Sequence, residues 1–314
     1  MTDVLTAFQT PPAPASRPAA KRSDRLRHRI TSAYGFLGLS GTIAAGLLVL
    51  MLLMALAAGL LAPDDPNNAS LLDAYQGPSS AHLLGTDAIG RDVLSRLIYG
   101  SRTSLLGPAL VVACSTAIGV PLALLGAWYG GLVDGSLARV LDLVYALPGL
   151  LLAVITAALF GAGLTPAVIA LSISYVPFLS RVVRAAARQQ RVSPYVDALS
   201  VQGFGALRIC LRHILRNIAP LVLGQSAIAF GYALLDLAGL SYLGLAVQAP
   251  TADWGVMVSD QDSMLRGFML PVILPGVLVV ACVMALTVLG ARISGERPER
   301  HPIWNRRGKR AGAS

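Results

Sequence analysis

Charge is what this chain has least of. Asp, Glu, Lys and Arg make up 13% of its 314 residues, against roughly 25% in an ordinary soluble domain. With 55% hydrophobic residues and a mean hydropathy of +0.65, the deficit excludes a water-soluble globule. No charge at all occurs in residues 31–63, 103–133, 143–180, 217–235, 237–252 or 267–291. A bilayer-spanning helix uses about 20 apolar residues, so runs of this length read as membrane spans.

Other scarcities remove whole classes of chemistry. The three cysteines, Cys114, Cys210 and Cys282, lie in separate segments without paired spacing, which argues against a disulfide framework or a zinc site and for packing residues. There are two lysines. Lys21 follows an alanine, and Lys309 follows Gly308 but precedes Arg310 and lacks the upstream glycine of a phosphate-cradling loop. Nucleotide binding in that manner is excluded, so any ATP-driven function needs another subunit. The four histidines, His28, His82, His213 and His301, all fall outside the apolar runs. Gly38-Leu39-Ser40-Gly41 superficially matches an intramembrane protease nucleophile motif, but Ser40 has no histidine base nearby and reads as a small packing residue. Scattered histidines do not suggest a metal ligand set either.

The charges that are present are sorted by sign and place. Lys and Arg number six before residue 35, three in 63–102, one in 134–142, none in 160–166, seven in 181–216, one in 247–266 and seven from Arg292 onward. With a cytoplasmic amino terminus, 21 of the 25 lie inside, which is the asymmetry that orients membrane proteins. Asp64, Asp65, Asp73, Asp87, Asp92, Asp253, Asp260 and Asp262 then fall in two outer loops. The net charge of +9 therefore needs no nucleic acid partner.

These patterns predict an all-α integral membrane protein with six transmembrane helices and both termini cytoplasmic. Residues 1–35 read as a disordered, then basic, cytoplasmic tail that anchors to anionic lipid; the apolar run after it is twice too long for a signal peptide. Residues 36–62 form the first span, and 63–102 an outer loop in which Val93, Leu94, Leu97 and Ile98 share one face of a short helix lying on the outer surface. Residues 103–292 hold the other five spans, near 104–131, 137–160, 164–183, 217–245 and 268–291, and 293–314 form a basic cytoplasmic tail. Gly161 to Pro166 supplies a tight outer turn. Gly126 with Gly130, and Gly131 with Gly135, are spaced for close helix contact.

The cytoplasmic loop 181–216 carries seven arginines and one acid. Arg181, Arg184, Arg188 and Arg191 recur at helical spacing, Ser193-Pro194 starts a short helix, and Gly203-Phe204-Gly205 ends it. A second helix follows with Leu207, Leu211, Ile214 and Ile218 on one face. Spacing alone fits either a basic belt on lipid headgroups or a helix-turn-helix that binds a partner.

The residues themselves favour the partner. Tyr195-Val196-Asp197-Ala198-Leu199-Ser200-Val201-Gln202-Gly203, followed by His213-Ile214-Leu215-Arg216-Asn217, resembles the EAA loop of ABC importer permeases. The pattern has Asp197 for Glu, Leu199 for the second Ala and Arg216 for Pro. Leu84 to Arg96, Ala127-Trp128-Tyr129-Gly130-Gly131, Leu240 to Leu245 and Gln248 to Gly255 are similar to the smaller permeases of dipeptide, oligopeptide and nickel importers, in the same order. The resemblance implies a type I importer permease fold in a bacterial inner membrane. It also implies a second homologous permease, two ATPase subunits that hold ATP and Mg, and an extracytoplasmic solute-binding protein. The coupling positions carried over are Tyr195, Asp197, Ala198, Leu199, Gly203, His213, Ile214 and Leu215. The implied substrate is a peptide, with nickel or another small solute as the alternative. A self-powered secondary transporter is the rival class, and would need its own ion site.

Two acids interrupt apolar segments. Asp142, three residues after Arg139 near the inner end of the third span, suggests an ion pair or a headgroup contact. Asp236 lies deep in the fifth span, where a charge costs at least about 2.5 kcal/mol on insertion scales. It either lines the substrate path or sits as a neutral hydrogen-bond donor between helices. In the resembling family an acid often falls four residues before the serine matching Ser241, a position occupied here by Leu237.

Overall fold

The computed structural model of the chain describes residues 22–295, with side chains from Gly38 onward. The Pro/Ala-rich tail before Arg22 and the basic tail after Gly295 lie outside the described residues. The helices are α1 (Arg22–Leu56), α2 (Ala58–Leu61), α3 (Val93–Tyr129), α4 (Gly131–Tyr145), α5 (Gly149–Phe160) and α6 (Leu164–Arg191). They continue with α7 (Pro194–Val201), α8 (Ala206–Ile209), α9 (Leu215–Tyr242), α10 (Trp254–Val258), α11 (Gln261–Leu265) and α12 (Leu270–Ile293). Among the described residues five helices are long and apolar enough to cross a membrane, counting α1 from Gly38 and α9 together with α8 and the turn between them, and α4 with α5, bent by 72°, makes a sixth when the pair counts as one span. The all-helical, six-span expectation therefore describes the architecture.

Three details depart from the sequence reading. The expected surface helix around residues 87–99 is the first part of α3, which runs unbroken to Tyr129. Its apolar face is covered by protein: Val93, Leu97 and Ile98 pack in the core, and Val93 and Leu97 share a cluster with Trp254 and Met257. The expected span 137–160 is two helices. Proline restricts the residue before it away from the α region, and the Ala146-Leu147-Pro148 segment separates α4 from α5. Gly130 and Gly131 hold φ of 61° and 50° with open space around them, so they form the α3–α4 turn and make no helix contact.

The bundle is built on α3, α6 and α9, with α12 laid against α9 and α1 against α12. Leu50, Leu53, Val277, Val280 and Met284 are exposed on the flanking α1 and α12. In hydrocarbon such side chains carry no penalty, since every backbone group is satisfied within its own helix.

One end of the bundle is tied by polar contacts to the start of α3. Asp92 caps α3 by accepting from the Ser95 amide at 2.7 Å. Arg96, 2% exposed, donates to the carbonyls of Pro66 at 2.9 Å and Pro250 at 3.2 Å and lies 3.6 Å from Asp87. The Ser104 hydroxyl donates to Asp253 at 2.7 Å and accepts from the Trp254 amide at 2.9 Å, while the Trp254 indole donates to the Leu97 carbonyl at 3.0 Å. The start of α3, from Arg96 to Ser104, is thus a structural clamp on the 250–254 segment.

Where α9 meets α12 the backbones nearly touch. A Cβ on Gly290 would sit 2.5 Å from the Gly224 carbonyl oxygen and 2.7 Å from Ile228 Cγ1, so only glycine permits this crossing. Gly290→Val should separate the helices and lower the midpoint of thermal unfolding in detergent, at the cost of roughly 1–3 kcal/mol typical of overpacking. Gly46→Ala, which meets open space, should leave that midpoint unchanged or slightly raised.

Candidate functional site

Two places collect the chemistry-bearing residues: the basic tip after α6 and a cavity beside the α4–α5 break. They share α6. All four arginines of its stripe contact protein groups, with Arg181 and Arg188 also exposed. Arg181 pairs with Asp142 at 2.7 Å and lies 4.2 Å from the centre of the Tyr145 ring. Arg184 pairs with Asp134 at 3.1 Å, Arg188 pairs with the same carboxylate, and Arg191 stacks 4.4 Å over Trp128. Asp142 therefore reaches across to α6, and the expected local pair with Arg139 is not formed. Asp134 is 6% exposed. A buried carboxylate is tolerated when opposite charges and hydrogen bonds satisfy it, so the two arginines fix α4 against α6.

Beyond Arg191 the chain turns at Ser193, where Pro194 occupies the first position of α7 and the serine side chain makes no cap. Val196 is fully buried against Val183, Ile209 and Ile214, with Tyr195 and Leu199 packed alongside. The opposite face of α7 is bare: Asp197 and Ala198 are exposed, and Val201 is 88% exposed. Gly203 ends the helix at φ 84°. The Phe204 amide reaches back to the Leu199 carbonyl at 3.1 Å and the Gly203 amide to that of Ser200 at 3.0 Å, the paired closure that a left-handed glycine makes possible.

The return helix differs from expectation. Residues Cys210–Ile214 form a π-helical turn, and the wider turn shifts which side chains face inward. Ile209, Cys210, Ile214 and Ile218 are buried, while Leu207 and Leu211 are 73% and 50% exposed. Among the coupling positions, Ile214 is in the core, Leu215 packs on its edge, and His213 lies edge-on to Phe204 at 6.2 Å. The exposed surface of the tip includes Asp197, Ala198, Val201 and Leu207; Val201 is not among the expected coupling positions, and Leu207 is expected from spacing on an apolar face with Ile214.

The cavity, about 520 Å³, is lined by Tyr145 to Gly149 at the helix break, by Ser174, Tyr175 and Phe178 of α6, and by Tyr232 and Asp236 of α9. That is within the size of small-molecule sites. The Tyr175 hydroxyl donates to Asp236 Oδ2 at 2.9 Å. Its neighbour Leu237 is 5% exposed in the core, while the Asp236 carboxylate lies on the cavity wall. Sequence reasoning found Asp236 but not Tyr145, Tyr175, Phe178 or Tyr232, which come from three helices with no shared spacing.

Residues 115–295 match the family described as binding-protein-dependent transport system inner membrane component. A dipeptide transport system permease protein of Haemophilus influenzae is 34% identical over 250 residues, covering 77% of this chain and 84% of that protein. A di/tripeptide transport system permease protein of Pseudomonas aeruginosa is 38% identical over 254 residues, covering 78% and 84%. A glutathione transport system permease protein of Pectobacterium atrosepticum is 34% identical over 250 residues, covering 79% and 83%. In fold, the chain is similar to an inward-facing structure of the MetNI methionine ABC transporter, with a TM-score of 0.51 and 18% identity over 64% of this chain and 96% of that one. With residues 115–295 matching the family and relatives of 34–38% identity aligned over more than three quarters of its length, this chain belongs to the family of inner membrane components of binding-protein-dependent transport systems.

Proposed function

We propose that the chain is one permease subunit of an ABC importer for short peptides, coupled to ATPase subunits through α7 and contributing the Asp236 cavity to the translocation path. The observation that carries this reading is the bare face of α7. A helix with one side locked into the bundle core and the other presenting Asp197, Ala198 and Val201 is shaped to be pushed by a partner. Relatives named for dipeptides and di/tripeptides supply the substrate class. In this reading a second homologous permease faces the cavity, two ATPases hold ATP and Mg on the cytoplasmic side, and a solute-binding protein delivers the peptide from outside. Both termini and the α7 tip are cytoplasmic, and the 63–92 loop is outside.

Movement of α7 has a built route to the cavity. Val196 is buried in the core cluster that residues of α3 and α6 share with the return helix, with Leu199 packed against that cluster, and α6 holds α4 through Asp134 and Asp142. The α4–α5 break that forms one wall of the cavity is the carboxyl end of that same helix.

Gly203→Val should uncouple transport from ATP hydrolysis in the assembled complex. The left-handed backbone at this position strains any β-branched residue, whereas no neighbour lies within 4 Å to clash with it, so membrane insertion should survive. Peptide uptake at the normal rate per ATP would remove α7 as the coupling element. A cysteine at Gln202 should resist an impermeant thiol reagent applied outside intact cells, while one at Gln76 should react. Labelling of the Gln202 site from outside would invert the topology.

A further inference from the structure

Several acids of the described chain are engaged by arginines or by helix amides, but the acid beside the cavity is not. Asp87, Asp134 and Asp142 each contact an arginine. Asp92, Asp253 and Asp260 cap helices through backbone amides. Asp236 does neither. Among the described residues no basic side chain pairs with it, and its one hydrogen bond is the Tyr175 hydroxyl on Oδ2, leaving Oδ1 without a described donor. The nearby cation Arg181 is already engaged by Asp142 and Tyr145.

The wall around this carboxylate is aromatic. Aromatic residues are 6% of the chain, yet Tyr145, Tyr175, Phe178 and Tyr232 are four of the ten residues lining the cavity. An aromatic face attracts a cation through its quadrupole, most strongly when water is excluded. A carboxylate with a free oxygen, in a cavity whose lining includes four aromatic rings, is complementary to an organic ammonium: the acid balances the charge, and the rings offer faces to the methylene or Cα beside it. An anion finds no unengaged cation among the lining residues.

We infer that the Asp236 cavity is an ammonium subsite that receives the protonated amino terminus of the peptide inside the membrane. This rests on the permease reading and deepens it, giving the path a preference of its own for substrates with a free amine. The peptide carboxylate is not held here, so the rest of the substrate extends out of the cavity toward the second permease.

The test uses the complete transporter in lipid nanodiscs, without nucleotide or solute-binding protein, so that selection by the delivering protein cannot mask the site. Radiolabelled benzylammonium at neutral pH is the probe, competed by alanyl-alanine, N-acetyl-alanyl-alanine and Nα-acetyl-lysyl-alanine. Saturable probe binding is expected, displaced by alanyl-alanine and by the acetylated dipeptide only about 10-fold more weakly or worse. Asp236→Asn should weaken probe binding about 10-fold or more. Tyr232→Ala, at a residue 52% exposed whose loss leaves the core intact, should weaken it by roughly 2- to 5-fold, so the inference stays testable should the Asn variant fail to assemble. Absence of saturable binding, equal displacement by free and acetylated dipeptides, or unchanged affinity in both variants would overturn the inference. Displacement by the lysyl compound alone would reassign the site to side-chain amines and overturn it as stated. ATP-driven uptake of alanyl-alanine by the wild-type complex, supplied with its binding protein in proteoliposomes, is scored separately. Amine binding without uptake refutes the peptide-importer reading and leaves the ammonium site standing, whereas uptake without amine binding does the reverse.

Discussion

Asp134, held by Arg184 and Arg188, is the interaction on which the working half of the structure depends. A carboxylate this buried has to keep its cations, and both come from successive turns of α6. With α4 fixed in that way, the position of the α4–α5 break is set, since the break lies at the far end of a 15-residue helix that begins three residues before Asp134. The cavity follows from the break. So does the link to the tip, because the same α6 ends at Arg191 over Trp128 and passes directly into the turn before α7.

The two ends of the bundle solve the cost of polar groups differently. Around Arg96 and Trp254, side chains are buried against backbone carbonyls and amides, which makes a rigid lock with little left over for a ligand. At the cavity Asp236 is bonded through one oxygen only, the arrangement on which the proposed ammonium subsite rests.

Much of this was legible in the sequence because membrane spans are written in composition. The charge-free runs located the spans, and the four-arginine stripe correctly extended the fourth span through Arg191. Ser193-Pro194 and Gly203 marked the two ends of α7 because their backbone chemistry is local. What escaped was non-local or a matter of register. The partners of Asp134 and Asp142 lie about 40 to 50 residues away, beyond any helical spacing rule. The π turn at 210–214 reassigned Leu207 and Leu211 to the surface without any Pro or Gly to announce it. Val93, Leu97 and Ile98 formed a true helical face, but periodicity does not say whether lipid or Trp254 covers it. Cys114 is exposed, unlike the buried Cys210 and Cys282, because a small apolar residue is equally at home on a lipid-facing surface.

The central claim is mechanical: a push on α7 reaches the cavity because Asp134 ties α4 to α6. The most direct measurement is the number of ATP molecules hydrolysed per peptide imported by the reconstituted complex carrying Asp134→Asn, with assembly verified by gel filtration. The account predicts that ATP hydrolysis persists while import falls, so the ratio rises by about an order of magnitude, in line with the loss of one partly buried charge pair. A ratio equal to that of the wild-type complex would contradict it.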